Sequence, residues 1–125
     1  MKKFLHVNAR TVDEAVSLLR QYNGKAKIIA GGTDLLGQIK NRIHSVVPEV
    51  LVNIKTIPNL DYIKEDKGGL KIGALTKLRD IASNPIVKEK YTALAQAAGA
   101  VASPQIRGMG TVGGNLCQDS RCWYY

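Results

Sequence analysis

One stretch constrains this chain more than any other: Ile28-Ile29-Ala30-Gly31-Gly32-Thr33-Asp34-Leu35-Leu36. Its first, β-branched residues suit a buried strand, and Leu35, Leu36, Ile39 and Ile43 then recur at helical spacing. A strand must therefore become a helix across a Gly-Gly pair. Glycine has no Cβ, so backbone N–H groups there can approach an anion directly. The helix start adds unsatisfied N–H donors and a partial positive charge. Together these features predict a phosphate cradle. A tight strand-to-helix turn with no ligand satisfies the same letters. Thr33 can donate its hydroxyl or cap the helix, and Asp34 is an equal candidate for the cap. No Walker-type lysine follows the glycines, and the spacing is not that of a Rossmann fingerprint.

The flanking pattern places this turn in an α/β arrangement. Phe4 to Val7 predicts a short strand. Thr11-Val12-Asp13-Glu14 reads as a capping box in which Thr11 accepts the Glu14 N–H and Glu14 reaches back. Val12, Ala15, Val16 and Leu19 follow at helical spacing, and Asn23-Gly24 ends that helix. Lys27 to Ala30 predicts a short buried strand, and Val50 to Ile54 another. Residues 1–54 thus read as strand, helix, strand, helix, strand. Pro58-Asn59 marks a junction, giving expected subdomains at 1–57 and 58–125. Beyond it, Tyr62–Glu65 and Leu70–Ile72 predict a hairpin around Asp66-Lys67-Gly68-Gly69. Thr76 is expected to cap a short helix carrying Leu78 and Ile81. Asn84-Pro85 predicts a further helix start. Residues 91–102 predict an alanine-rich helix with Leu94, Ala97, Ala98 and Val101 on one face, stopped by Ser103-Pro104.

Composition narrows the class. Of 125 residues, 45% are hydrophobic and 6% aromatic, so a single aliphatic core is affordable and wholesale disorder is not expected. The net charge of +8 raises the prospect of an acidic partner. The basic residues are spread evenly, with no run longer than Lys2-Lys3, so a solvated surface is expected rather than a nucleic-acid footprint. No apolar run is long enough for a membrane span, and no apolar segment follows the charged start, so a cytoplasmic protein is expected. His6 and His44 are isolated and read as packing or surface residues.

A second glycine segment, Gly108-Met109-Gly110-Thr111-Val112-Gly113-Gly114-Asn115-Leu116, again sets a Gly-Gly pair beside a hydroxyl and an amide. Two such segments in one small chain suggest a diphosphate held from both sides; a ligand-free glycine-rich loop is the alternative.

Ala30-Gly31-Gly32-Thr33-Asp34-Leu35 taken with Thr111-Val112-Gly113-Gly114-Asn115 resembles the FAD subunit of the molybdenum hydroxylases, which include xanthine and carbon monoxide dehydrogenases and 4-hydroxybenzoyl-CoA reductases. Ile72-Gly73-Ala74-Leu75-Thr76 and Ser103-Pro104-Gln105-Ile106-Arg107 are similar to the same pattern, and the likeness spans essentially the whole chain. The resemblance implies an α+β fold of the family's flavin-subunit type: a small α/β subdomain, then the start of a second α+β subdomain. It implies that Ile29, Ala30, Gly31, Gly32, Thr33, Asp34, Leu35 and Leu36 form the first FAD diphosphate loop. Thr111, Gly113, Gly114 and Asn115 would form the second, chiefly through backbone N–H groups. Val101 would touch the flavin nucleotide. Gly108 departs from the pattern, which often has a polar residue there. No acid–base catalytic side chain is implied, since the flavin does the redox chemistry.

The ending, Asn115-Leu116-Cys117-Gln118-Asp119-Ser120-Arg121-Cys122-Trp123-Tyr124-Tyr125, is similar to the 4-hydroxybenzoyl-CoA reductase branch. That likeness implies a four-iron four-sulfur cluster in the complete subunit, with Cys122 as its first ligand. Such clusters typically need four thiolates, and this chain has two cysteines. Two ordinary thiols are the alternative. The likeness also implies a molybdenum cofactor-binding large subunit and a two-iron two-sulfur small subunit as partners, with the chain as the N-terminal portion of a longer flavin subunit. An unrelated anion- or nucleotide-binding module, and a nucleic-acid-binding domain driven by the charge, are the competing classes.

Overall fold

The computed structural model describes residues 3–124; Met1 and Lys2 of the charged start and Tyr125 of the aromatic end lie outside it. The first part comprises β1 (Leu5–Asn8), α1 (Val12–Gln21), β2 (Ala26–Ile29), α2 (Leu35–Asn41) and β3 (Val50–Asn53). Its strands form a parallel sheet in the order β1-β3-β2. Val50 stands opposite both Leu5 and Ala26. β3 is buried along its whole length. Side chains alternate between the sheet's faces. Val50 and Val52 pack with Ala9, Ala15, Ala26 and Ile57, with Leu18 and Leu19 of α1 against them. Leu51 packs with Ile29 and Ile39, the latter on α2. Fully burying a Val, Leu or Ile side chain here stabilises the fold by roughly 1.5–3 kcal/mol.

The second part begins with the antiparallel hairpin β4 (Ile63–Asp66) and β5 (Gly69–Ile72). Five short helices follow: α3 (Leu78–Ser83), α4 (Pro85–Lys90), α5 (Thr92–Ala100), α6 (Pro104–Met109) and α7 (Val112–Leu116). Ile81, Val87, Ala95 and Ala98 form their core, closed by Ile63, Leu70, Ile72 and Val112. The expected α+β architecture is therefore present, a parallel α/β layer followed by a hairpin with helices.

Several local expectations need correction. The strand at Lys27–Ala30 runs from Ala26 to Ile29 and is only half-buried, because it is an edge strand; Lys27 and Ile28 face solvent. Thr11 does accept the Glu14 N–H at 3.1 Å, but the Glu14 carboxylate reaches back to the Arg10 N–H at 2.7 Å, one residue further than the box predicts. Thr76 is no cap. Its buried hydroxyl donates to the Tyr62 carbonyl at 3.1 Å, and Lys77 precedes α3 instead. On α5 the buried residues are Ala95 and Ala98 with Leu94 half-buried beside them, and Ala97 is exposed.

The largest correction concerns residues 103–116. Ser103-Pro104 does stop α5, but it also starts α6: the Ser103 hydroxyl accepts the Ile106 N–H and Pro104 occupies the first turn. The second glycine segment is then mostly helical. Thr111 caps α7 by accepting the Gly114 N–H at 3.2 Å.

Candidate functional site

The fold brings the two glycine segments together. Gly31 follows β2, and a β-carbon there would lie 2.8 Å from the Met109 carbonyl carbon and closer still to its oxygen. Only glycine permits that contact. Thr33 Oγ1 would lie 3.4 Å from a β-carbon at Gly110, so its side chain covers that residue. Residues 74–78 support the second segment from behind. The Leu78 N–H donates to the Gly110 carbonyl (3.1 Å), Val112 N–H to Thr76 (2.9 Å) and Gly113 N–H to Ala74 (2.9 Å).

The first segment presents unspent donors. Among the described residues, the backbone N–H groups of Gly31, Gly32, Thr33, Asp34 and Leu35 donate to no protein acceptor, and the next N–H, Leu36, closes onto Gly32 at 3.1 Å. Gly32 has φ +75, the left-handed region, and this turns the chain into α2. α2 has only seven residues, so the loop amides matter more here than the helix dipole. These five residues are half-buried or exposed, so their free N–H groups stand open to water or to a ligand. A run of five free ones beside a half-buried glycine turn suits the oxygens of a diphosphate.

The second segment spends its donors internally. Besides the Gly113 and Gly114 bonds above, the Asn115 N–H donates to Thr111 O at 2.9 Å. Thr111 keeps a free N–H, and the Asn115 side-chain amide makes no hydrogen bond among the described residues. Val101 ends α5 in extended backbone. It precedes α6, whereas Gly31 abuts its far end, and its carbonyl accepts Arg107 Nη1 at 2.8 Å. Ile29 is buried beneath the first loop, while Leu36 is 41% exposed.

Two side chains that the sequence did not single out also shape the first loop. Lys55 follows β3, and its Nζ donates to the Ala30 carbonyl at 3.0 Å and to Asn53 Oδ1. Burial pulls its ammonium below the usual lysine range. Asn53 is itself fixed by donating to Asn8 Oδ1 at 2.8 Å. A signal existed: parallel strands place their C-terminal ends together, so a polar residue just after β3 must neighbour the loop just after β2. The second is Arg121, which pairs with Asp34. Asp34 precedes α2 but makes no side-chain cap; its carboxylate accepts from the Asp119 N–H, Arg121 and Gln38 instead. Burial works to raise its pKa, but these three donors and the guanidinium charge outweigh it and hold the group below the usual carboxylate range.

Cys117 and Cys122 are both free thiols and both exposed. No group of three or more metal-ligating side chains occurs among the described residues. His44 is exposed and lies 3.0 Å from the Asp119 carboxylate. No helix among the described residues is long and apolar enough to cross a membrane. A cavity of about 340 Å³ lies between α2 and residues 42–48, and Leu35 at the end of the first glycine segment forms part of its lining.

Known proteins resemble this chain over nearly its whole length. Residues 2–122 match the FAD binding domain in molybdopterin dehydrogenase. The chain is 41% identical over 121 residues to the nicotinate dehydrogenase FAD-subunit of Eubacterium barkeri, covering 96% of this chain and 40% of that protein. It is 41% identical to the carbon monoxide dehydrogenase medium chain of Hydrogenophaga pseudoflava, covering 91% and 39%. A solved structure of carbon monoxide dehydrogenase from that organism superposes with a TM-score of 0.86, covering 92% of this chain and 39% of the other. The chain thus spans about two fifths of the length of the curated relatives it matches. Unspent loop amides, a glycine contact that joins two segments, and these likenesses lead to one assignment: the chain belongs to the family of FAD binding domains of molybdopterin dehydrogenases.

Proposed function

We propose that this chain is the FAD-binding N-terminal part of an electron-transfer flavin subunit in a molybdenum-dependent oxidoreductase of the 4-hydroxybenzoyl-CoA reductase type. The observation that supports its role most directly is the run of free N–H groups from Gly31 to Leu35, held against Met109 and Gly110. In this reading the first loop, Ile29 to Leu36, supplies most of the donors to the FAD diphosphate. Thr111 and Asn115 approach from the other side, and Gly113 and Gly114 let α7 sit close. Val101, just before α6, would touch the flavin nucleotide. FAD, when bound, supplies reversible one- and two-electron transfer, and the chain's task is to bind and orient it.

The branch is read from the ending. The ending around Cys122 resembles that branch, and Cys122 falls where the first ligand of an additional four-iron four-sulfur cluster would lie. Three more thiolates would have to complete it. The reaction would then be reductive removal of an aromatic hydroxyl on a partner large subunit, with a two-iron two-sulfur small subunit in the relay. A xanthine or carbon monoxide dehydrogenase-type subunit is the second reading, favoured by the similarity to medium chains and FAD subunits so named.

Reconstitution tests the first claim. The chain incubated with FAD should retain flavin absorbance through gel filtration, and calorimetry should show FAD preferred over ADP and ATP. Equal affinity for all three would favour a simple nucleotide module. In a complete subunit, Cys122→Ser should remove iron while leaving FAD; unchanged iron would favour the second reading.

A further inference from the structure

The segment after α7 is tied to the first glycine loop across more than eighty residues of sequence. The Asp34 carboxylate accepts the Asp119 N–H at 3.1 Å and Arg121 Nη1 at 2.8 Å. Gln38, one turn along α2, donates to the same carboxylate. Arg121 also donates to the Asp119 carbonyl at 2.9 Å, which braces the turn from within. A second strut joins the Asp119 carboxylate to His44 Nε2 at 3.0 Å, just beyond the end of α2. One carboxylate at the head of α2 therefore holds both the backbone and a side chain of the tail, and Cys122 is the next residue after that hold.

The position of Asp34 makes this more than a surface clip. Its backbone is part of the amide run from Gly31 to Leu35, while its carboxylate belongs to the tail. Fixing the loop backbone fixes where the carboxylate stands, so part of the ordering cost of docking the tail has then been met. Two events that share one ordering step are thermodynamically linked, and the linkage is reciprocal.

We propose that Asp34 is a positioning residue that couples occupancy of the first glycine loop to the order of the Cys122 segment. The ligand arm of this coupling rests on reading the loop as the FAD diphosphate site. The clasp itself, Asp34 with Asp119 and Arg121, does not.

The two parts are separated by measuring amide exchange at Asp119 by NMR and FAD affinity by calorimetry. Both are done on the 125-residue chain as wild type, Arg121→Met and Arg121→Lys. Arg121 is exposed and outside the glycine segments, so neither change threatens the core. Without FAD, Arg121→Met should speed Asp119 exchange about two- to fivefold, the scale of one partly exposed ion pair. FAD should slow that exchange in wild type. Arg121→Met should weaken FAD binding within the same range and lose the protection by the same factor, and Arg121→Lys should restore part of both. Equal exchange in wild type and Arg121→Met would overturn the clasp. Faster exchange with unchanged FAD affinity would overturn the coupling. If wild type binds no FAD, the reading of the loop fails and the coupling falls with it, while the exchange comparison still decides the clasp.

Discussion

From Gly31 to Leu35, five consecutive N–H groups find no acceptor among the described residues; from Val112 to Asn115, every N–H is spent within the chain. Both segments carry Gly-Gly beside a threonine, yet their glycines do different work. Gly31 is needed because Met109 lies where its side chain would be, and Gly32 because the chain turns there at positive φ. Gly113 is needed because α7 packs its backbone onto Ala74. The first segment is arranged to leave donors open, and the second to hold that arrangement in place. A pair of glycines thus reports a close approach without saying whether a ligand or the chain itself makes it.

Substitutions at these glycines sharpen the contrast. The largest effect is expected for Gly31→Ala, whose β-carbon collides with rigid backbone at Met109. The segments must separate, and FAD binding should be lost altogether in calorimetry, with a stability loss of about 3 kcal/mol or more by urea unfolding. Retained affinity would mean that the two segments need not touch. Gly113→Ala places a β-carbon 2.9 Å from the Ala74 carbonyl oxygen. It should cost about 1–3 kcal/mol of stability, with affinity falling less than for Gly31→Ala. The reverse order would show that the second segment, not the first, is the main donor.

Smaller effects follow for the caps and the clasp. Thr111→Val keeps the shape of a buried side chain but removes the acceptor for the Gly114 N–H, and should cost about 1 kcal/mol in thermal or urea unfolding. The smallest effect lies on the pH axis. The Asp34 carboxyl titrates below its ordinary value of 3.8, so its contribution is complete above that value and is lost as the pH falls through the lower folded one. The stability gap between wild type and Asp34→Asn should be constant from neutral pH to about 5 and should close in the acid limb; it should not exceed about 1 kcal/mol. A gap that widened on acidification would contradict the arrangement of donors around Asp34.

The strand-helix-strand order of the first part was legible because each of its signals is local. Thr11, Asn84 and the Asp66–Gly69 turn carry their own capping or turn chemistry. The helices after Val101 are not legible for a reason internal to the sequence. Asn84-Pro85 reads as a helix start, and Ser103-Pro104 has the same chemistry, but there it also follows the alanine-rich α5, so the same letters serve as a stop and a start. α7 was hidden because Gly113 and Gly114 are poor helix formers, and only the Thr111 cap and packing on Ala74 make them helical. The site divides along the same line. The glycine segments themselves could be picked out. Their contact at Gly31 and Met109, and the pairing of Asp34 with Arg121, join residues far apart in sequence, which no local pattern encodes.

The strand order carries a consequence in time as well as in space. β1 and β2 are not paired with each other; both are hydrogen-bonded to β3, which comes last of the three along the chain. A ribosome that has released residues 1–45 has therefore delivered two outer strands with no partner, and the sheet closes only when Val50 to Asn53 arrive between them. The glycine turn after β2 can take its shape only at that moment, because the Ile54 N–H and the Lys55 ammonium anchor the carbonyls at Ile29 and Ala30. By contrast, α3 to α5 bring together residues close in sequence, and such contacts form quickly. The helices from α3 to α5 can thus assemble fast from local contacts, whereas the sheet waits for its final strand, which is also its centre.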